Sequence, residues 1–104
     1  MTKRERQRYV KFKIYTATRN STTFNGKAIT RSIWRKFTKL YGEIESSKAG
    51  FWLMEYDPAE RVGTIRCSHL VLAGLVTTLT LLRELDGTPV SFDTLSTSGI
   101  LGKL

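Results

Sequence analysis

Val10, Phe12 and Ile14 alternate with Tyr9, Lys11, Lys13 and Tyr15, so residues 8–15 carry the period-two pattern of a strand with one buried face. A polar run from Thr16 to Thr23 reads as a loop. The period then changes. Ile29, Ile33, Phe37 and Leu40 recur at spacings of four, four and three, which predicts one apolar stripe on a helix from Gly26 or Lys27 to Tyr41. Asn25 is placed to cap that helix, and Gly42 to end it with positive φ. Glu43 to Gly50 reads as a soft connection. Phe51 to Tyr56 and Val62 to Cys67 then read as a hairpin closed by Asp57-Pro58-Ala59-Glu60. Ser68 is a cap for a second helix predicted through Leu85 and stopped by Gly87, apolar on more than one side and so mostly covered. Pro89 to Leu95 forms the last strand, with Val90 and Phe92 inward. The order β-α-β-β-α-β predicts the α+β class and a ferredoxin-like sandwich. Two helices pack on one face of a four-stranded antiparallel sheet, and the other face is left open.

At 104 residues the chain holds one domain, 1–104, with residues 1–7 as a basic N-terminal arm and 96–104 as a flexible tail. Cys67 and His69 are the single cysteine and histidine, which rules out an intramolecular disulfide and a four-ligand Cys/His zinc site. Both read as structural residues. The longest apolar stretch, Leu70 to Leu82, contains three threonines and is shorter than the roughly 20 residues of a spanning helix. Nothing behind the basic start resembles a secretory signal, so a cytoplasmic location is expected.

Charge changes the picture most. Seventeen Lys and Arg against nine Asp and Glu give a net charge of +8, which favours a polyanionic partner. Residues 1–39 hold twelve of the basic residues and a single acid, Glu5, whereas residues 40–104 carry a net negative charge. Three groups follow. On the open sheet face, Tyr9, Lys11, Lys13 and Tyr15 of the first strand are expected beside Arg66 of the third, a mixture of rings and cations that suits RNA. On the first helix, Arg31, Arg35 and Lys39 form a stripe whose mutual repulsion a phosphate backbone would relieve. In the arm stand Arg4, Arg6 and Arg8. Each group also has a plainer counterpart: a solvated sheet face, a solvated helix face, a solubilising terminus. A protein-interaction or small-ligand module using Phe51, Trp52 and Phe92 therefore stays open on the residues alone.

Catalytic chemistry is missing. There is no phosphate-binding glycine loop followed by Lys-Ser/Thr, no dinucleotide fingerprint and no zinc-protease helix. An acylphosphatase-like enzyme would need a glycine nest around an arginine, but Thr16-Ala17-Thr18-Arg19-Asn20-Ser21 supplies only the arginine. Val62-Gly63-Thr64-Ile65-Arg66-Cys67 also lacks the aromatic run of a standard RNA-recognition motif.

One resemblance spans Arg8 to Gly99. Arg8-Tyr9-Val10-Lys11-Phe12-Lys13-Ile14 resembles the opening strand of the archaeal ribonuclease P protein component 2 family. Similar pieces follow in order: Ile33-Trp34, Leu40-Tyr41-Gly42-Glu43, Trp52-Leu53, Tyr56-Asp57, Gly63-Thr64-Ile65-Arg66-Cys67, Leu79 to Leu82, Asp86-Gly87 and Ser98-Gly99. Two stretches depart from the family. Thr16 to Thr23 carries no hallmark, and Ser98-Gly99-Ile100-Leu101-Gly102 stands where the family usually has Ser-Gly-Thr-Ile-Arg. The resemblance implies a ferredoxin-like protein subunit of ribonuclease P, which removes the 5′ leader from precursor tRNA. It further implies that the ribonuclease P RNA is the catalyst and holds the metal ions, with no cofactor on this chain. The implied partners are that RNA, precursor tRNA indirectly, and the TIM-barrel-like protein component 3, in assemblies of two plus two.

Overall fold

The computed structural model describes residues 6–16 and 24–100. Four strands make the main sheet: β1 (Gln7–Tyr15), β2 (Trp52–Asp57), β3 (Val62–Ser68) and a last strand, Ser91–Ser98. Between β3 and that last strand lies a small hairpin of β4 (Glu84–Leu85) and β5 (Thr88–Pro89), which makes Ser91–Ser98 β6. The sheet order is β2-β3-β1-β6, with every neighbouring pair antiparallel. Helices α1 (Gly26–Lys48) and α2 (Leu72–Leu81) complete the βαββαβ sandwich. Val10, Phe12 and Ile14 of β1 and Ile65 and Cys67 of β3 meet Ile29, Ile33 and Phe37 of α1 and Leu75 and Leu79 of α2 in one core. Both helices therefore cover the Val10 side of the sheet, and the Tyr9 side is left open.

Local chemistry explains most element ends. Asn25 accepts a hydrogen bond from the Lys27 backbone N–H at 2.8 Å, the N-cap expected there. Asp57 Oδ1 accepts from the N–H groups of Ala59 and Glu60 and shapes the β2–β3 turn. Ser68 caps a short 3₁₀ turn, His69–Val71, that leads into α2.

Five boundaries differ from the sequence reading. Gly42 has the positive φ expected of it, +90°, but it kinks α1 instead of ending it. The segment read as soft re-enters the helix as far as Lys48, because Ser46 is buried and shares a 2.7 Å hydrogen bond with Thr38. Leu40 leaves the inward stripe and lies 41% exposed. α2 stops at Leu81, four residues short of the expected Leu85, as Leu82 turns to an extended conformation (φ −78°, ψ 115°). Leu82 and Leu85 are buried all the same, carried inward by the β4–β5 hairpin. At its turn Asp86 (φ 46°) and Gly87 (φ 81°) are both left-handed, the geometry of a two-residue Asp-Gly hairpin. The last strand starts later than read and runs on to Ser98, which takes residues 96–98 out of the tail and into the sheet. At the other end Gln7 belongs to β1, and the Arg6 carbonyl accepts from the His69 N–H at 2.8 Å, so the arm of residues 1–7 gives up its last two residues.

Because an L-side chain at φ 81° is strained, Gly87→Ala is expected to cost about 1 kcal/mol, read as a lower urea midpoint with an unchanged slope.

Candidate nucleic-acid interface

Residues directly opposite each other on antiparallel strands share a face, so the register defines the open surface row by row. At one end Trp52, Arg66, Tyr9 and Ser98 lie side by side across β2, β3, β1 and β6. Glu55, Thr64, Lys11 and Ser96 form the next row, in which the Thr64 hydroxyl lies 3.3 Å from Glu55 Oε1. Asp57, Val62, Lys13 and Asp93 form the third, and Lys13 Nζ stands 5.4 Å from the centre of the Tyr15 ring. The face anticipated from alternation, with Tyr9, Lys11, Lys13, Tyr15 and Arg66 together, is present.

Its charge is graded along the strands, which composition does not reveal. Lys13 is opposite Asp93, and Lys11 shares a depression with Glu55, Asp57 and Glu60. The row holding Arg66 contains no carboxylate, and Arg8 borders it, its guanidinium Nη1 close to Gly99. Arg8 itself projects from the Val10 side of β1, so it flanks the open face without standing on it. Arg6 is exposed beside the His69 turn at the same end of the sheet, and Arg4 lies outside the described residues.

Arg31, Arg35 and Lys39 are exposed on α1, as the four-residue spacing requires. That puts the helix stripe on the layer opposite the open face, so the two basic groups do not form one surface. Arg35 and Lys39 share a shallow cavity with Glu84 and Asp86 of the β4–β5 hairpin. Among the described residues none of Arg6, Arg8, Lys11, Lys13, Arg31, Arg35, Lys39 and Arg66 comes within 4.0 Å of a carboxylate oxygen. Their charges are not locked in ion pairs.

Of the three aromatics offered for an interaction surface, Trp52 is 62% exposed as that reading requires, whereas Phe51 and Phe92 are buried. Trp52 is not among the residues expected on the RNA-facing sheet, yet the register places it there. A bulge at Met54, where the register passes from Leu53–Ile65 to Glu55–Thr64, sets Tyr56 inward and Glu55 outward. On the flank of β2 a second feature appears, an apolar groove of about 600 Å³ lined by Trp34, Phe51, Trp52 and Leu53 together with Lys27 and Arg31. Trp34 meets Phe51 edge-on there, with ring centres 5.5 Å apart.

The single thiol is inert. Cys67 is fully buried, and burial pushes its pKa up to about 11 against a smaller opposing pull from Arg8. Below pH 11 the thiol therefore keeps its proton, and native protein at pH 8 is expected to react with a disulfide reagent only as fast as it unfolds. His69 is exposed and its ring nitrogen Nδ1 lies 3.2 Å from both the N–H and the carbonyl oxygen of Arg6, a structural contact. Among the described residues no group of three or more His, Cys, Asp or Glu is arranged to hold a metal ion, and no helix is long and apolar enough to cross a membrane.

Similarity to known proteins agrees with this geometry. The chain is 29% identical over 103 residues to ribonuclease P protein component 2 of Pyrococcus furiosus, covering 99% of this chain and 82% of that one. The same protein of Thermococcus kodakarensis is 27% identical over the same share of each chain. A chain in the cryo-EM structure of yeast ribonuclease MRP superposes with a TM-score of 0.75 at 14% identity, covering 95% of this chain and 78% of that one, which shows the shared fold. The family model matches residues 8–104, and this chain belongs to the Rpp14/Pop5 family.

Proposed function

We propose that this chain is an RNA-binding protein subunit of ribonuclease P that supports the catalytic RNA in removing the 5′ leader from precursor tRNA. The observation that carries the reading is the likeness to ribonuclease P protein component 2 over 99% of the chain. The open sheet face gives it a physical basis, because Tyr9, Lys11, Lys13 and Arg66 stand together on the side away from the helices, and among the described residues no carboxylate oxygen lies within 4.0 Å of the three cations. The isolated chain does no chemistry. Hydrolysis belongs to the RNA and to metal ions bound there, and this subunit acts in the cytoplasm by neutralising phosphates and holding RNA segments in place.

Contact with RNA centres on the Arg66 end of the face, where Arg6 and Arg8 add charge and no carboxylate shares the row. Arg31, Arg35 and Lys39, on the opposite layer, reach a separate RNA segment. The groove beside Trp34, Phe51 and Leu53 serves the protein partner, component 3, in a two-plus-two assembly, since it is apolar where the sheet face is polar.

Reconstitution tests the reading. Ribonuclease P RNA and component 3 are combined with and without this chain, and precursor-tRNA cleavage is followed. Faster release of the 5′ leader with the chain present, and none from the chain alone, is the expected result. Equal rates with and without it would overturn the proposal.

A further inference from the structure

We infer that the row Trp52, Arg66 and Tyr9 is a stacking site for unpaired bases, so that the RNA segment on this face is single-stranded. The inference rests on the reading that the open sheet face contacts RNA, and it specifies the form of that RNA. Three adjacent strands present the three side chains on one face in direct register. Neighbouring strands are about 4.8 Å apart, which sets the two aromatic residues about 10 Å from each other with the arginine between them. That spacing accommodates a base on each ring, with the guanidinium near the intervening phosphate.

Exposure points the same way. Trp52 is 62% exposed at the sheet edge, where the open face meets the apolar groove, and belongs to no part of the core, whereas Trp34 rests against Phe51. Among the described residues, Arg66 has its Nε shut away from solvent with no hydrogen-bond partner, and no carboxylate lies within 4.0 Å to hold its charge. The fourth place in the row is Ser98, a hydroxyl able to donate or accept. Phosphate attraction alone would use cations and leave the two rings idle. Rings flanking a cation across an open sheet face gain their full contact only from bases that are free to leave their own stack. In a duplex the bases are already stacked on one another, and this row would meet only the backbone.

Fluorescence of the full chain tests this. In a Trp34→Phe background, Trp52 is the only tryptophan. It is titrated with a single-stranded RNA of about ten nucleotides, within the range one such surface spans, and with the duplex of the same sequence. The single strand is expected to quench Trp52 and to bind more tightly than the duplex. Trp52→Ala is expected to weaken the single strand about tenfold and the duplex little, and Trp52→Phe to restore most of the loss. Trp52 is exposed on an edge strand, so far-ultraviolet circular dichroism should be unchanged. Suppose RNA binds and depends on Arg66, yet the emission is unmoved and Trp52→Ala binds as well as the parent. Stacking would then be refuted while the sheet-face reading stands. If neither RNA binds, the reading itself fails and takes the stacking site with it.

Discussion

Replacing Lys11, Lys13 and Arg66 together by alanine is expected to weaken RNA binding by tenfold or more and to slow precursor-tRNA cleavage in the reconstituted enzyme, with the fold intact. Among the described residues none of the three side chains belongs to the core or pairs with a carboxylate, so their removal takes away charge without opening a cavity. On a single strand each cation paired with a phosphate steepens the salt dependence by about 0.7 of a unit of log-log slope, so the triple variant should show a slope shallower by up to about 2. The single variants should not be equal. Arg66 stands in the row without a carboxylate, Lys11 is separated from Glu55 by Thr64, and Lys13 is opposite Asp93. Arg66→Ala should therefore lose most and Lys13→Ala least. Equal losses would mean that the neighbouring acids do not tune the face.

The largest effect on stability is expected from Phe12→Ala. Phe12 lies on β1, an interior strand of the sheet, with no exposed surface and its ring centre 5.5 Å from that of Phe92. It also fills the space above Gly63, where a Cβ would come within 2.8 Å of its ring. Truncating a buried phenylalanine costs about 3–5 kcal/mol, a large share of the roughly 5–15 kcal/mol that holds a small domain together. Chemical denaturation should show a midpoint far below that of the parent, or no cooperative transition. An unchanged midpoint would contradict the core described here.

Local patterns made much of this architecture legible. β1 was readable because strict alternation has a single structural meaning, and the Asn25 cap and the Asp57 turn because their hydrogen bonds join neighbours in sequence. What escaped was tertiary or double in meaning. Ser46 looks polar, yet its bond to Thr38 draws residues 43–48 back into the helix. Leu82 and Leu85 continue an apolar helical pattern, but a buried hairpin asks for the same residues, and Asp86-Gly87 suits either a helix stop or a hairpin turn. The graded charge of the sheet face was out of reach for a different reason. Asp93 and Glu55 meet the rows of Lys13 and Lys11 only through strand register, and the bulge at Met54 decides which acidic or aromatic residue of β2 points outward.

The open sheet face as the main RNA side can be tested by crosslinking in the assembled enzyme. A photoreactive phenylalanine analogue replaces Ser96, which is opposite Lys11 on the sheet, or Ser32, which lies beside Arg35 on α1. Strong crosslinks to ribonuclease P RNA from position 96, exceeding those from position 32, are the expected result. RNA captured from position 32 with none from position 96 would contradict it.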